Sequence, residues 1–255
     1  MMTNGSEQRT FNKKKAWVFG GTSDIGRSII SVLHAQGFDI TFTWNSNFDS
    51  TEAILKNCPN TQKYKLDLSS ESEVNDFCNR EKDALVSNLI VYCAGVNNAT
   101  FCDDLELTKL DSITRINFIS AAKIFNSASQ TVKPNKSLEA KFVYISSIAA
   151  RKVSLGNTLY GATKAAMERY FAGLAVELAR FNVRTLCISP GYVKTKMLES
   201  YCSDKGFSLR DLQKHIPTRK FLGVDDISSV TLAFALGQIV TTGEVITLGN
   251  GERFM

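Results

Sequence analysis

The feature that most constrains this chain is its alternation of short apolar runs with amphipathic stretches from one end to the other. Residues 16–19, 38–44, 63–68, 89–94, 142–145, 183–189 and 244–248 read as strands. Between them, 25–36, 51–56, 70–79, 159–180 and 225–236 read as helices, and 107–131 as one long helix or two joined ones. In the first helix Ile25, Ile29, Val32 and Leu33 share one side and Gly37 stops it. Ser69 or Ser70 caps the helix at 70–79, with acidic residues in its first turn. The run at 89–94 is uninterruptedly apolar, as strands buried on both faces of a parallel sheet are. The polar segment 133–140, with Pro134, reads as a loop, and 194–222 as irregular and partly helical. This order predicts an α/β fold: a doubly wound (Rossmann-like), mostly parallel seven-stranded sheet with helices on both faces. Ligands of such sheets bind at the carboxyl ends of the strands. No repeat or linker divides the 255 residues, so a single domain is expected, with 1–13 as a flexible N-terminal extension.

Composition narrows the chemistry. The formal charge of +5 is mild and its densest cluster, Lys13-Lys14-Lys15, reads as the polar flank of a strand, so no nucleic-acid partner is expected. The cysteines, Cys58, Cys78, Cys93, Cys102, Cys187 and Cys202, show no C-x-x-C pair and no metal spacing. Cys93 and Cys187 fall in apolar runs, where a reduced thiol packs as a small hydrophobe, and a cytoplasmic location is the expectation. Residues 1–10 lack the apolar core of a signal peptide, and no apolar run is long enough to span a bilayer. His34 and His215 are the only histidines, which argues against a His-based metal site or a Ser-His triad.

Three short stretches carry chemistry. The turn after the first strand is Gly20-Gly21-Thr22-Ser23-Asp24-Ile25-Gly26, where glycines let backbone approach a pyrophosphate at the amino end of a helix. Its spacing departs from G-x-G-x-x-G. The second strand ends in Trp44-Asn45-Ser46-Asn47, without the acidic residue that would hold an NAD ribose. Neutral donors there could receive a 2′-phosphate, which favours NADP(H) over NAD(H), and Arg27 is the nearest arginine to help. A polar loop without cofactor role is the competing reading. Finally, Tyr160 and Lys164 stand one helical turn apart on one face, where the ammonium would lower the phenol's pKa and make it a usable acid/base. Y-x-x-x-K alone is a weak motif.

Together these residues resemble the short-chain dehydrogenase/reductases, in their single-domain branch, from Lys15 to about Gly251. Gly20 to Gly26 is similar to the family's T-G-x-x-x-G-x-G turn. Asp67, followed by Leu68, sits where the family places an aspartate beside the adenine, and Cys93-Ala94-Gly95 occupies the place of its N-A-G turn. Asn117 in R-I-N-F matches the helix asparagine and Ser147 in I-S-S the catalytic serine, with Tyr160 thirteen residues further on. Ser189-Pro190-Gly191, with Val193 and Thr195, looks like the P-G-x-x-x-T segment that holds the nicotinamide amide. The departures are Phe19 for a threonine, Asp24 for the middle glycine and Cys93 for an asparagine. The chain is longer than usual around 133–140, shortened at 237–242, and ends in Leu248-Gly249-Asn250-Gly251 in place of a V-D-G-G-like sequence.

The resemblance implies one dinucleotide-binding and catalytic domain that reduces a ketone to a secondary alcohol, or the reverse. Tyr160 would be the acid/base, Lys164 would tune it and hold the nicotinamide ribose, and Ser147 would bond the substrate oxygen. Asn117 would support a water-mediated proton path from Lys164. No metal is implied. Residues 168–184, the S-P-G segment and Ile216-Pro217-Thr218-Arg219 are similar to bacterial beta-ketoacyl-carrier-protein reductases, a similarity shared by sugar, polyol and secondary-metabolite ketoreductases. The substrate could be carrier-bound, with Arg180 and Arg184 attracting an acidic carrier protein, although a solvated helix end and strand start is the favoured reading of that pair. Arg151 and Lys152 could meet an anionic substrate, against the favoured reading of an exposed loop. A homo-tetramer or homo-dimer is expected. Two other readings compete: a dinucleotide-sensing binding protein that has lost turnover, and a sugar-nucleotide epimerase, which the short chain and the glycine spacing disfavour.

Overall fold

The computed structural model describes residues 13–101, 103–104, 106–135 and 137–254. The extension expected at 1–13 lies, apart from Lys13, outside the described residues, as does Cys102. Seven strands form one sheet: β1 (Lys15–Phe19), β2 (Asp39–Trp44), β3 (Gln62–Lys65), β4 (Leu89–Tyr92), β5 (Ala140–Ile145), β6 (Val183–Pro190) and β7 (Glu244–Leu248). Their order is β3-β2-β1-β4-β5-β6-β7 and every pairing is parallel, so the sheet is wholly rather than mostly parallel. The order reverses between β1 and β4, which opens a crevice beyond their carboxyl ends.

All four residues of β4 and all six of β5 are buried, because helices cover both faces. On one face an aromatic row crosses the sheet: Phe19, Tyr92 and Tyr144 are register partners on β1, β4 and β5, with stacked rings 6.0 and 5.9 Å apart. Burying each such ring contributes roughly 1.5–3 kcal/mol. On the other face Val18, Val91, Val143 and Leu186 pack with Ile29, Leu33, Ile227 and Phe234.

The helices are α1 (Asp24–Ala35), α2 (Phe48–Asn57), α3 (Glu71–Arg80), α4 (Leu107–Thr114), α5 (Ser120–Val132), α6 (Thr158–Leu178), α7 (Lys196–Asp204), α8 (Leu209–Lys214) and α9 (Val224–Ala235). α2 starts earlier than the apolar periodicity suggested, because the Asn47 side chain accepts from Ser50 N and caps it. The long helix expected at 107–131 is continuous but carries a π-helical turn, Arg115–Ile119, between α4 and α5. β5 begins at Ala140, inside the expected loop. Its Lys141 looks polar in sequence, yet it is buried with its ammonium on Ala235 O (3.2 Å) and Glu139 (3.1 Å). β3 stops at Lys65, short of the expected 68, although Leu66 N still donates to Trp44 O. Among the described residues no helix is long and apolar enough to cross a membrane.

Candidate active site

The end of β5 and the start of α6 bring the catalytic candidates together. Ser147 follows β5 in extended backbone, its hydroxyl accepting from Ala149 N at 3.2 Å. Ser147, Tyr160 and Lys164 line a cavity of about 150 Å³. The same cavity is walled by Cys93 and Gly95 beyond β4, by Ile25 of α1, and by Pro190, Gly191, Val193 and Thr195 at and beyond the end of β6.

Lys164 is only 3% exposed. Its ammonium donates to Tyr144 Oη (3.1 Å) and Ile145 O (2.9 Å) and lies 4.7 Å from the Tyr144 ring centroid. Burial pulls its pKa down to about 7. Gly95 makes room for this arrangement, since a Cβ there would stand 3.3 Å from Lys164 Nζ and 3.4 Å from Asn117 Oδ1. Tyr160 is half-buried, with Lys164 Nζ 5.6 Å from its ring. Burial pushes its phenol up, and a hydrogen bond with Ser147 acts in the opposite direction. The tuning thus differs from the expectation: it is the lysine, taken out of water, that moves toward neutrality.

Asn117 sits inside the π turn at 0% exposure, behind the cavity wall. Its amide clasps the strand-end loop: Oδ1 accepts from Val96 N and Nδ2 donates to Val96 O, both at 2.9 Å, and Nδ2 donates to Thr163 Oγ1 at 3.3 Å. A π turn shifts the helical hydrogen-bond register, and two buried phenols serve its carbonyls. Tyr92 Oη donates to Ile116 O (2.6 Å) and Tyr144 Oη to Asn117 O (2.8 Å).

The glycine turn lies at the crevice. Gly20 has φ +83°, and a Cβ there would stand 2.6 Å from Ala94 N, so only glycine lets β1 and the strand-end residues meet this closely. Ser23 caps α1, its hydroxyl donating to Gly20 O (2.8 Å) and accepting from Gly26 N (3.0 Å). Thr22 precedes that cap and Ile25 is the second residue of α1. Cys93, in the asparagine's place, directs its thiol to Phe19 O (3.1 Å) and Gly20 O (3.4 Å). Burial pushes its pKa up to about 12, so it stays a neutral thiol.

Asp24 opens α1 in ordinary helical backbone, and its carboxylate binds Arg27 (2.5 Å) and Lys196 N (2.8 Å). It ties the glycine turn to the start of α7. Arg27 also donates to Thr22 O (3.2 Å) and Ser50 Oγ (2.9 Å), so the arginine nearest a 2′-phosphate site is already engaged. Asn45 and Ser46 are exposed beyond β2, beside Trp44. Asp67 Oδ1 accepts from Ser69 N (2.8 Å) and Oγ (2.7 Å), and Leu68 is buried, its carbonyl accepting from Ser120 Oγ. The tight glycine turn, the capped amino end of α1 and the missing acid after β2 fit a dinucleotide phosphate group.

Several residues escaped the sequence reading. Lys63 and Lys65 of β3 place their ammonium groups 6.0 and 5.8 Å from the Trp44 ring, Lys63 also pairing with Glu52. Only the parallel register Trp44↔Lys65 brings them there, although the alternation in K-Y-K is a faint signal. Lys152, which the sequence already offered as a cation for an anionic substrate, lines the cavity and donates to Glu252 O (2.8 Å). Glu252, 1% exposed, accepts from Tyr192 N (3.0 Å) and Asn250 N (2.5 Å), which fastens the C-terminal segment to the loop after β6. Of the two cations after Ser147, Arg151 instead pairs with buried Glu168 (3.1 Å), which also accepts from Ser146 Oγ (2.8 Å). Arg180 and Arg184 stand before and at the start of β6, whereas the cavity lies beyond its other end. They do not face the mouth.

Comparison with known proteins agrees with this geometry. The family model described as short chain dehydrogenase matches residues 14–206, and the chain belongs to that family. It is 23% identical over 235 residues to carbonyl reductase family member 4 of Xenopus laevis, covering 92% of this chain and 95% of that one. It is 27% identical over 240 residues to acetoacetyl-CoA reductase of Synechocystis sp., again covering 92% and 95%. Among solved structures, an ElxO variant with NADPH bound superimposes with a TM-score of 0.82 at 21% identity, over 95% of this chain and 100% of that one. Membership makes the chain an oxidoreductase of the NAD(P)H-using type.

Proposed function

We propose that this chain reduces a ketone to a secondary alcohol, with NADP(H) favoured over NAD(H) and a 3-oxoacyl thioester as the substrate class. The observation that carries the reading is the convergence of Ser147, Tyr160 and Lys164 on one cavity between the ends of β4, β5 and β6. Ser147 hydrogen-bonds the carbonyl oxygen and stabilises the charge that develops there. Tyr160 delivers the proton to that oxygen, or takes it in reverse. Lys164, cationic over part of the neutral range, stabilises the phenolate left when Tyr160 gives up its proton and holds the nicotinamide ribose. The cofactor supplies the hydride when bound. Gly20, Thr22, Ser23, Ile25 and Gly26 would receive the pyrophosphate. Asp67 and Leu68 would flank the adenine, with Ala94 and Gly95 beside the adenosine–pyrophosphate path. Pro190, Gly191, Val193 and Thr195 would hold the nicotinamide amide.

The NADP(H) preference is supported by the absence of an acid at Trp44, Asn45 and Ser46 and by the two lysines beside Trp44. The thioester class is supported by the names of relatives, acetoacetyl-CoA reductase and 3-oxoacyl-[acyl-carrier-protein] reductase, and by Lys152 in the cavity wall, a cation for an anionic or carrier-linked substrate. Exposed Val176 on α6 and Leu107 on α4 suit a homo-dimer or homo-tetramer, and a cytoplasmic location goes with the same reading. The test is cofactor consumption with acetoacetyl thioesters, sugar ketones and polyols, run with NADPH and with NADH. NADPH oxidation by a thioester is the expected result. Tight NADPH binding with no consumption by any compound would replace the enzyme with a dinucleotide sensor.

A further inference from the structure

We propose that Tyr144 is a positioning residue for the reaction: its buried phenol anchors the Lys164 ammonium to the Asn117 carbonyl, where a water-mediated path would otherwise run. The inference rests on Lys164 acting as described above. Tyr144 Oη accepts from Lys164 Nζ at 3.1 Å and donates to Asn117 O at 2.8 Å. A phenol has one proton to give, and here it is spent on Asn117. Toward Lys164 the oxygen is therefore an acceptor, which favours the ammonium over the neutral amine. Because the phenol's proton points at a carbonyl, this link anchors the lysine and does not conduct a proton away from it.

The anchor is rigid. Tyr144 is 0% exposed, stacks on Tyr92 at 5.9 Å and meets Phe171 at 5.8 Å. Burial holds its own pKa well above the usual phenol value, so it does not ionise beside the lysine. The other titratable groups around Lys164 are Tyr160 and Glu168 of its own helix, Cys93 beyond β4 and Cys187 of β6. Burial raises both thiols' pKa and keeps them neutral, and Glu168 is engaged by Ser146 and Arg151. Of these groups, Tyr144 has the direct hydrogen bond to the ammonium.

The neighbouring strand supplies a matched control. Tyr92 is also fully buried and donates to the π turn, at Ile116 O, without bonding Lys164. Tyr144→Phe and Tyr92→Phe thus remove equivalent supports of the π turn, and only the first touches the lysine. Protein labelled with [6-¹³C]lysine, with Lys164 assigned by its loss in Lys164→Arg, gives its titration midpoint by NMR independently of turnover. The midpoint should fall by about one pH unit in Tyr144→Phe and stay at the wild-type value in Tyr92→Phe. In turnover, kcat of Tyr144→Phe should drop roughly 10-fold with KM within about twofold, and its high-pH limb should move to lower pH. Equal midpoints in wild type and Tyr144→Phe, or equal changes in the two Phe variants, overturn the proposal. If none of the carbonyl compounds makes the wild-type protein consume cofactor, the proposed function fails, while the midpoints still decide the role of Tyr144.

Discussion

Lys164→Met should remove a pH dependence from folding stability that can be estimated from the structure. In the unfolded chain a lysine titrates near 10.5, whereas burial among β4, β5 and β6 brings Lys164 to about 7. Between those values the unfolded chain holds a proton that the native protein has released. Stability therefore rises with pH through this window, and the cost of the buried lysine is fully present below pH 7 and gone above about pH 10.5. At 1.36 kcal/mol per pKa unit, that cost is about 4 kcal/mol at pH 7 and about half as much at pH 9. The stability of wild type relative to Lys164→Met should then increase by about 2 kcal/mol from pH 7 to pH 9. Urea unfolding of both proteins at the two pH values, followed by circular dichroism, measures this difference and cancels groups common to both. A wild-type-minus-variant difference that stays constant would show that the lysine titrates normally in the native protein, and the electrostatic reasoning would be wrong.

Other perturbations address the remaining parts of the site. Ser147→Ala should lower kcat about 10²–10³-fold with little change in KM, measured by NADPH consumption, because it removes one donor to the developing oxyanion. Asn45→Asp should raise KM for NADPH roughly tenfold while leaving NADH nearly unchanged, since it sets a carboxylate where the 2′-phosphate is expected. Equal effects on both cofactors would remove the NADP(H) preference.

Much of the fold was legible because its signals are local. The strand-helix alternation and the apolar run through Leu89–Tyr92 dictate a parallel sheet, and glycine turn, Ser147, Tyr160 and Lys164 sit at the strand ends where such a sheet binds ligands. What stayed hidden depends on register and on contacts between distant segments. Tyr144 reads as one more apolar residue in F-V-Y-I, and only the β5–α6 packing sets its hydroxyl against Lys164. Lys63 and Lys65 reach Trp44 through strand pairing, and Glu252 meets Tyr192 across sixty residues. Arg151 could not be separated from Lys152 in sequence, because their different fates turn on Glu168, one helical turn beyond Lys164. The start of α2 was missed because a polar cap, Asn47, and not apolar periodicity, sets it.

Tyr160→Phe separates chemistry from binding at the phenol itself. The ring, its place in the cavity wall and the Lys164 contact are kept, and only the hydroxyl that delivers the proton is lost. Titration of the variant with NADPH by fluorescence should give a Kd within about threefold of wild type, while kcat falls about 10²–10⁴-fold. Near wild-type turnover by Tyr160→Phe, with binding intact, would contradict proton transfer by Tyr160.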